Sequence, residues 1–243
     1  MNDLLDRIRF APERVLIDDL FSRYDLEKLI SHYEATAGPV AHEYVLGTQL
    51  RLTPILAPRL VSLLDEVCAA VGFTETTQLF VQADPSVNAM AIHSQAEGLP
   101  HMVSLTSGLV EMMSDDELRF VLGHELGHLH YRHYRAGVIH LAVGEDEEGN
   151  SRLPGLLSRK MESWERLAEL SADRVGFAAV GGKVEPAITA FFKMASGLGP
   201  EHLRFDVGAF LSQLEDLQSL QRREVLAQFS HPVTPVRVRA LQL

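Results

Sequence analysis

A single cysteine, Cys68, stands among 243 residues, so no disulfide can form within the chain. It falls in the apolar stretch LLDEVCAAVGF, where a thiol packs as a small hydrophobe. Positive charge is also scarce. Twenty-two Lys and Arg against 33 Asp and Glu leave a net charge of -11, which argues against nucleic acid or an anionic membrane surface as the main partner. No run approaches the ~20 apolar residues that a bilayer span requires, so no integral membrane segment is expected. The opening MNDLLDRIRFAPERV carries acids and lacks the apolar stretch of a secretory signal, which makes the cytoplasm the simplest address. No internal repeat, low-complexity tract or long linker divides the sequence.

What is present reads as one soluble α+β domain, mostly helical, with a helical amino-terminal region over 1–74 and a core over 75–243. Val15, Leu16, Leu20, Leu26, Leu29 and Ile30 have the spacing of an apolar stripe and predict a helix over 12–36, ended by Gly38-Pro39. A second helix is expected over 54–71, closed by Gly72. The segments QLFVQAD (78–84), NAMAIHS (88–94) and HMVSLTS (101–107) read as short strands of a small twisted sheet, the first two joined at the turn-forming Asp84-Pro85-Ser86. Ser114 and Glu117 then form a capping box that opens a helix expected to reach about Arg135, with Gly137 beyond its end. The acidic stretch GEDEEGN (144–150) reads as a solvated loop, or as a lid over a cleft. Helices resume over 158–180, 185–195 and 205–229, and a short helix ends the chain.

The chemistry concentrates in VLGHELGHLHYRHY (121–134). His124 and His128 are four apart and share one helical face, so their imidazoles can converge on a single ion. Two neutral imidazoles suit zinc, which commonly takes three protein ligands at a catalytic site and leaves a position for water. Glu125 stands about 100° round the helix from His124, where it could act on that water as a general base without binding the metal. His130 and His133 fall on other faces of a continuous helix, which excludes them as ligands and leaves them to surface or inter-helix hydrogen bonds. His93 could line a cleft or serve only packing.

A third ligand from the same segment, as in the longer pattern HExxHxxGxxH, is excluded because those later positions hold Tyr131 and Tyr134. The segment WERLAELSADRVGF (164–177) offers an acid from another helix. Its apolar surroundings leave little polar face, so buried acids there need a cation or a metal. Glu169 and the rival Glu165 both lie on that helix. Glu169 is preferred because Asp173, four residues on, could then accept a hydrogen bond from a ligating histidine and fix its tautomer.

Taken together, NAMA (88–91), VSLTSGLVEMMSDDELRFVLGHELGH (103–128), ELSAD (169–173) and SHP (230–232) followed by Arg237 resemble the HtpX and CAAX-prenyl-protease family of zinc metallopeptidases, peptidase family M48 of the gluzincin group, over roughly 75–240. The resemblance implies a gluzincin-type core with the sheet packed on the HExxH helix, and one zinc ion held by His124, His128 and Glu169. It implies Glu125 as general base and acid, and a substrate-binding strand over Asn88, Ala89, Met90 and Ala91 that receives an extended peptide or unfolded-protein segment. His231 and Arg237 match positions used near the scissile carbonyl, and either could stabilise the oxyanion. Well-known family members are integral to the membrane, whereas this chain looks like the soluble forms. The alternative reading is a latent or non-catalytic metal-binding interaction protein that keeps the peptidase fold.

Overall fold

The structure, a computed structural model, describes residues 3–37, 40–94, 98–144, 152–219 and 234–241. The chain opens with helices α1 (Asp3–Ile8), α2 (Ala11–Arg23), α3 (Leu26–Ala37) and α4 (Val40–Thr48). The one helix expected over 12–36 is thus broken at Tyr24, whose φ of -124° and ψ of 136° are extended. The break changes the buried face: Ile17, Leu20, Leu26 and Ile30 turn inward, while Val15, expected in the stripe, is 70% exposed. Gly38 and Pro39 lie outside the described residues.

A strand that the pattern did not announce, β1 (Leu50–Leu52), precedes helix α5 (Pro58–Val71). Helix α5 starts later than expected because the amides of Leu56 and Ala57 bond back to the carbonyl of Thr53 in a turn. Its buried stripe of Leu60, Leu63, Leu64, Val67 and Val71 follows the helical period, and Gly72 closes it at a left-handed φ of 70°. The strands β2 (Thr77–Gln82), β3 (Ala89–Ile92) and β4 (His101–Thr106) complete a sheet in the order β1-β2-β4-β3. Strands β2 and β4 are parallel, and the two outer pairs are antiparallel. All six residues of β4 are buried, as a central strand requires. Among the described residues strand β3 pairs only with β4, which leaves its other edge open there.

Next come α6 (Ser107–Met112), α7 (Asp115–His130), α8 (Arg135–Val143), α9 (Gly155–Ala179), α10 (Val184–Ser196), α11 (Val207–Ser219) and a final helix, α12 (Thr234–Ala240). The capping box at Ser114 and Glu117 forms as expected, and Lys193 of α10 reaches the same Glu117 carboxylate at 2.7 Å. The far end of α7 differs from expectation. Arg132 takes a left-handed φ of 56°, the amide of His133 bonds to the carbonyl of His128, and that of Arg132 bonds to Leu129. These are the paired bonds of a Schellman ending, formed here without glycine. The helix therefore stops at His130, and Gly137 lies inside α8 rather than beyond α7. The acidic stretch beyond Gly144, and the part of the 205–229 helix past Ser219, lie outside the described residues.

Helix α7 carries buried residues on nearly every side and runs through the middle of the core, between the sheet and α9. Glycines set how near α9 comes. A Cβ on Gly123 would stand 2.6 Å from the Ala179 Cβ, one on Gly127 2.9 Å from the Ala172 Cα, and one on Gly176 2.6 Å from the Phe120 carbonyl oxygen. A second core forms where Ile17, Leu20 and Ile30 of the amino-terminal helices meet Ile139, Met161 and Trp164. Among the described residues no helix is long and apolar enough to cross a membrane.

Candidate metal centre

His124 and His128 project from one side of α7, and the close crossing of α9 brings Glu169 against them. The Nε2 atoms of the two histidines are 2.9 Å apart; Glu169 Oε2 lies 3.6 Å from His124 Nε2, and Oε1 lies 3.4 Å from His128 Nε2. Zinc bound at 2.0–2.1 Å in a tetrahedron sets its ligand atoms about 3.3 Å apart, close to all three separations. The hydrogen bonding fits as well. Asp173 Oδ1 is 3.0 Å from His124 Nδ1, and a carboxylate can only accept there. The proton therefore sits on Nδ1, and Nε2 presents its lone pair to the point that Glu169 and His128 also face. Two buried donors and a half-buried one converging on one point form an arrangement that a cation stabilises, and these residues fit a zinc ion.

The charges around that point are interlocked. Burial works against a charge on His124, but the Asp173 hydrogen bond and Glu169 outweigh it and raise its pKa. Burial and the neighbouring His124 and His133 hold His128 well below the ordinary imidazole value, against the pull of Glu169. Asp173 is kept ionised in spite of burial by Arg237 and by the His124 hydrogen bond. Arg237, on α12, also approaches Glu169 Oε2 at 3.2 Å through NH1. Glu125 is 6% exposed, and burial raises its carboxyl above the ordinary range, with the Ala91 amide and His124 pulling the other way.

His124, Glu125, His128 and Glu169 line a cleft of about 530 Å³ together with Asn88, Ala89, Met90 and Ala91 on and beside the edge of β3. Arg237, Met194, Trp164 and Gly137 line it too. Glu165, the rival ligand, also reaches the cleft, but it faces His140 at 3.6 Å and stays out of the cluster. His231 lies outside the described residues. His93 stacks on Tyr134, with ring centroids 4.1 Å apart, and does not line the cleft.

Sequence reasoning missed His133. The turn at Arg132 folds it back over the end of α7, so it is buried and its Nδ1 comes within 2.9 Å of His128 Nδ1. A continuous helix would have carried it to another face. Nothing in the residues signalled the break, since the left-handed position holds arginine where glycine is usual. His130 stays peripheral, 3.8 Å from Asp6.

Residues 54–243 match the model of peptidase family M48, a stretch that includes the histidine pair, Glu169, Asp173 and Arg237. The chain is 25% identical over 208 residues to the plastoglobule-localized metallopeptidase 48 of Arabidopsis thaliana, covering 81% of this chain and 59% of that protein. It is 35% identical over 78 residues to a protease HtpX homolog of Streptococcus pyogenes serotype M5, covering 32% of this chain and 26% of the relative. The chain thus spans less than two thirds of either relative. The matched residues and the fold they build place the chain in peptidase family M48.

Proposed function

We propose that the chain is a zinc-dependent endopeptidase that binds one ion through His124, His128 and Glu169 and hydrolyses peptide or unfolded-protein segments. The observation that carries this reading is the convergence of the lone-pair donors of buried His124 and Glu169 and half-buried His128 beside a buried carboxyl, Glu125, at a strand edge. Zinc in that position supplies a Lewis acid that polarises the scissile carbonyl and makes water acidic enough to attack.

The protein's own groups supply the rest. The open edge of β3 offers main-chain donors and acceptors to a substrate that lies alongside as an added strand. Glu125 takes a proton from the attacking water at a carboxylate oxygen and returns it to the leaving amine nitrogen, a task suited to a carboxyl whose pKa burial has raised. Asp173 holds the His124 proton on Nδ1, and Arg237 holds Asp173 and Glu169 in place. Arg237 also lines the cleft and meets negative charge growing on the carbonyl oxygen, with His231 as the alternative donor. Helices α2 and α3 share a core with α8 and α9, which supports treating the chain as a single domain.

The test pairs metal analysis with a peptide-library digest. The expected results are one zinc per chain, a digest abolished by chelator, retention of zinc but not cleavage in Glu125→Gln, and loss of zinc in Glu169→Ala but not in Glu165→Ala. Undiminished cleavage by Glu125→Gln rejects the mechanism. Zinc binding without any cleavage by the wild-type chain leaves a metal-binding interaction protein as the better reading.

A further inference from the structure

Glu13 belongs to α2, outside the residues that match the family, yet it is fully buried. Its carboxylate accepts from Arg9 Nε and NH2, both at 2.6 Å, from Trp164 Nε1 at 3.0 Å and from Ser171 Oγ at 2.8 Å. Ser171 sits on α9 between Glu169 and Asp173, and it also accepts the Phe10 amide at 3.1 Å. The amino-terminal helix is thus fastened to the turn of α9 that carries both acids of the metal centre.

The same carboxylate faces His133. His133 Nε2 is buried, has no closer partner among the described residues, and lies 3.5 Å from Glu13 Oε1. The other ring nitrogen, Nδ1, is 2.9 Å from His128 Nδ1. With an ion on the two Nε2 atoms, one assignment of protons satisfies every group. Glu13 can only accept, so His133 carries its proton on Nε2; its Nδ1 is then an acceptor, and His128 must donate from Nδ1. That leaves the lone pair of His128 on Nε2, aimed at Glu169 and His124. On the other side Asp173 fixes His124 directly, so each histidine is oriented from behind by a separate carboxylate, one of them acting through a second imidazole.

We propose that His133 and Glu13 are positioning residues for His128, so that the amino-terminal helix α2 is a working part of the metal centre. This rests on the reading of His124, His128 and Glu169 as zinc ligands. Partners that orient a ligating histidine commonly change metal affinity by about 10–100-fold when removed.

The experiment measures zinc affinity of the full-length protein by competition with a chromogenic chelator, with folding followed by circular dichroism. His133→Phe keeps a ring but removes both hydrogen bonds, and zinc should bind about 10–100-fold more weakly. In His133→Gln the amide oxygen can accept from His128 and the amide nitrogen can donate toward Glu13, so most of the affinity should return. A folded His133→Phe protein that binds zinc like wild type overturns the proposal, as does an equal loss in both variants, which would signify packing alone. Long-range proton–nitrogen correlation spectra of the zinc-loaded wild-type protein give a readout that needs no variant. They should show His128 protonated on Nδ1 and His133 on Nε2; a His133 proton on Nδ1 overturns the proposal. Wild-type protein that takes up no zinc, or a His124→Ala variant that binds it as wild type does, overturns the metal centre itself rather than its support.

Discussion

Arg237 grips Asp173 through two parallel hydrogen bonds, Nε to Oδ2 at 2.9 Å and NH2 to Oδ1 at 2.6 Å. The pair ties the last described helix to the one that carries Glu169, and both carboxylates are nearly inaccessible. Removing the guanidinium strands two buried acids, and breaking such a pair from one side typically costs about 3–5 kcal/mol. Arg237→Ala should therefore unfold at much lower urea than wild type. Arg237→Lys should recover only part of the loss, because a point charge cannot bridge both oxygens of Asp173 in a planar fork. Urea unfolding curves of the two metal-free variants test this, and an unshifted midpoint for Arg237→Ala would contradict it.

Two glycine-to-alanine substitutions should move stability in opposite directions. At Gly176 the new methyl meets the Phe120 carbonyl oxygen at 2.6 Å and its ring at 3.0 Å, so the two ligand-bearing helices must separate. Overpacking of this kind costs about 1–3 kcal/mol, and a loss of zinc affinity should accompany it. At Gly137 a methyl meets nothing within 4 Å, and alanine in a helix interior is better than glycine by about 0.5–1 kcal/mol. Thermal melts should fall for Gly176→Ala and rise slightly for Gly137→Ala. A fall in both would mean that the helix crossing is not the sensitive feature.

Acid should weaken the fold through His93. Its ring stacks on Tyr134 and faces His101, Arg132 and Glu75; burial first, then His101 and Arg132, depress its pKa to about 4 against the opposing pull of Glu75. The unfolded chain takes up this proton near pH 6.5, whereas the folded protein resists it down to about pH 4. The contribution of neutral His93 is thus fully present above the unfolded value and declines as the pH falls through that window. Denaturation at pH 7 and pH 5 should show a larger loss for wild type than for His93→Phe. Identical losses would assign the acid sensitivity to other groups.

The parts of the site that were legible in the sequence are those fixed by local periodicity. His124 and His128, and Glu169 and Asp173, are each four apart on a helix, and that spacing alone puts each pair on one face. The capping box and Gly72 likewise marked real helix ends. What escaped detection depends on contacts between distant segments or on an unusual backbone. Arg132 gave no warning of a left-handed turn, so His133 was assigned to the wrong direction. Glu13 looks like an ordinary acid in the first turn of a surface helix, and only the approach of Trp164 and Ser171, more than 150 residues away, buries it. Strand β1 is three residues long and gains its identity from pairing with β2. The position of Arg237 near the centre followed from the family resemblance, but its grip on Asp173 did not.

The open edge of β3 is only four residues long, about 13 Å of extended chain. An edge that short senses whether a polypeptide lies straight more than which side chains it carries. A folded protein has its own strands already paired and its loops curved, and it presents few such stretches. On the proposed reading of this cleft as a peptidase site, whatever enters it must first have come undone locally, so the rate at which a target frays would govern how quickly it is cut.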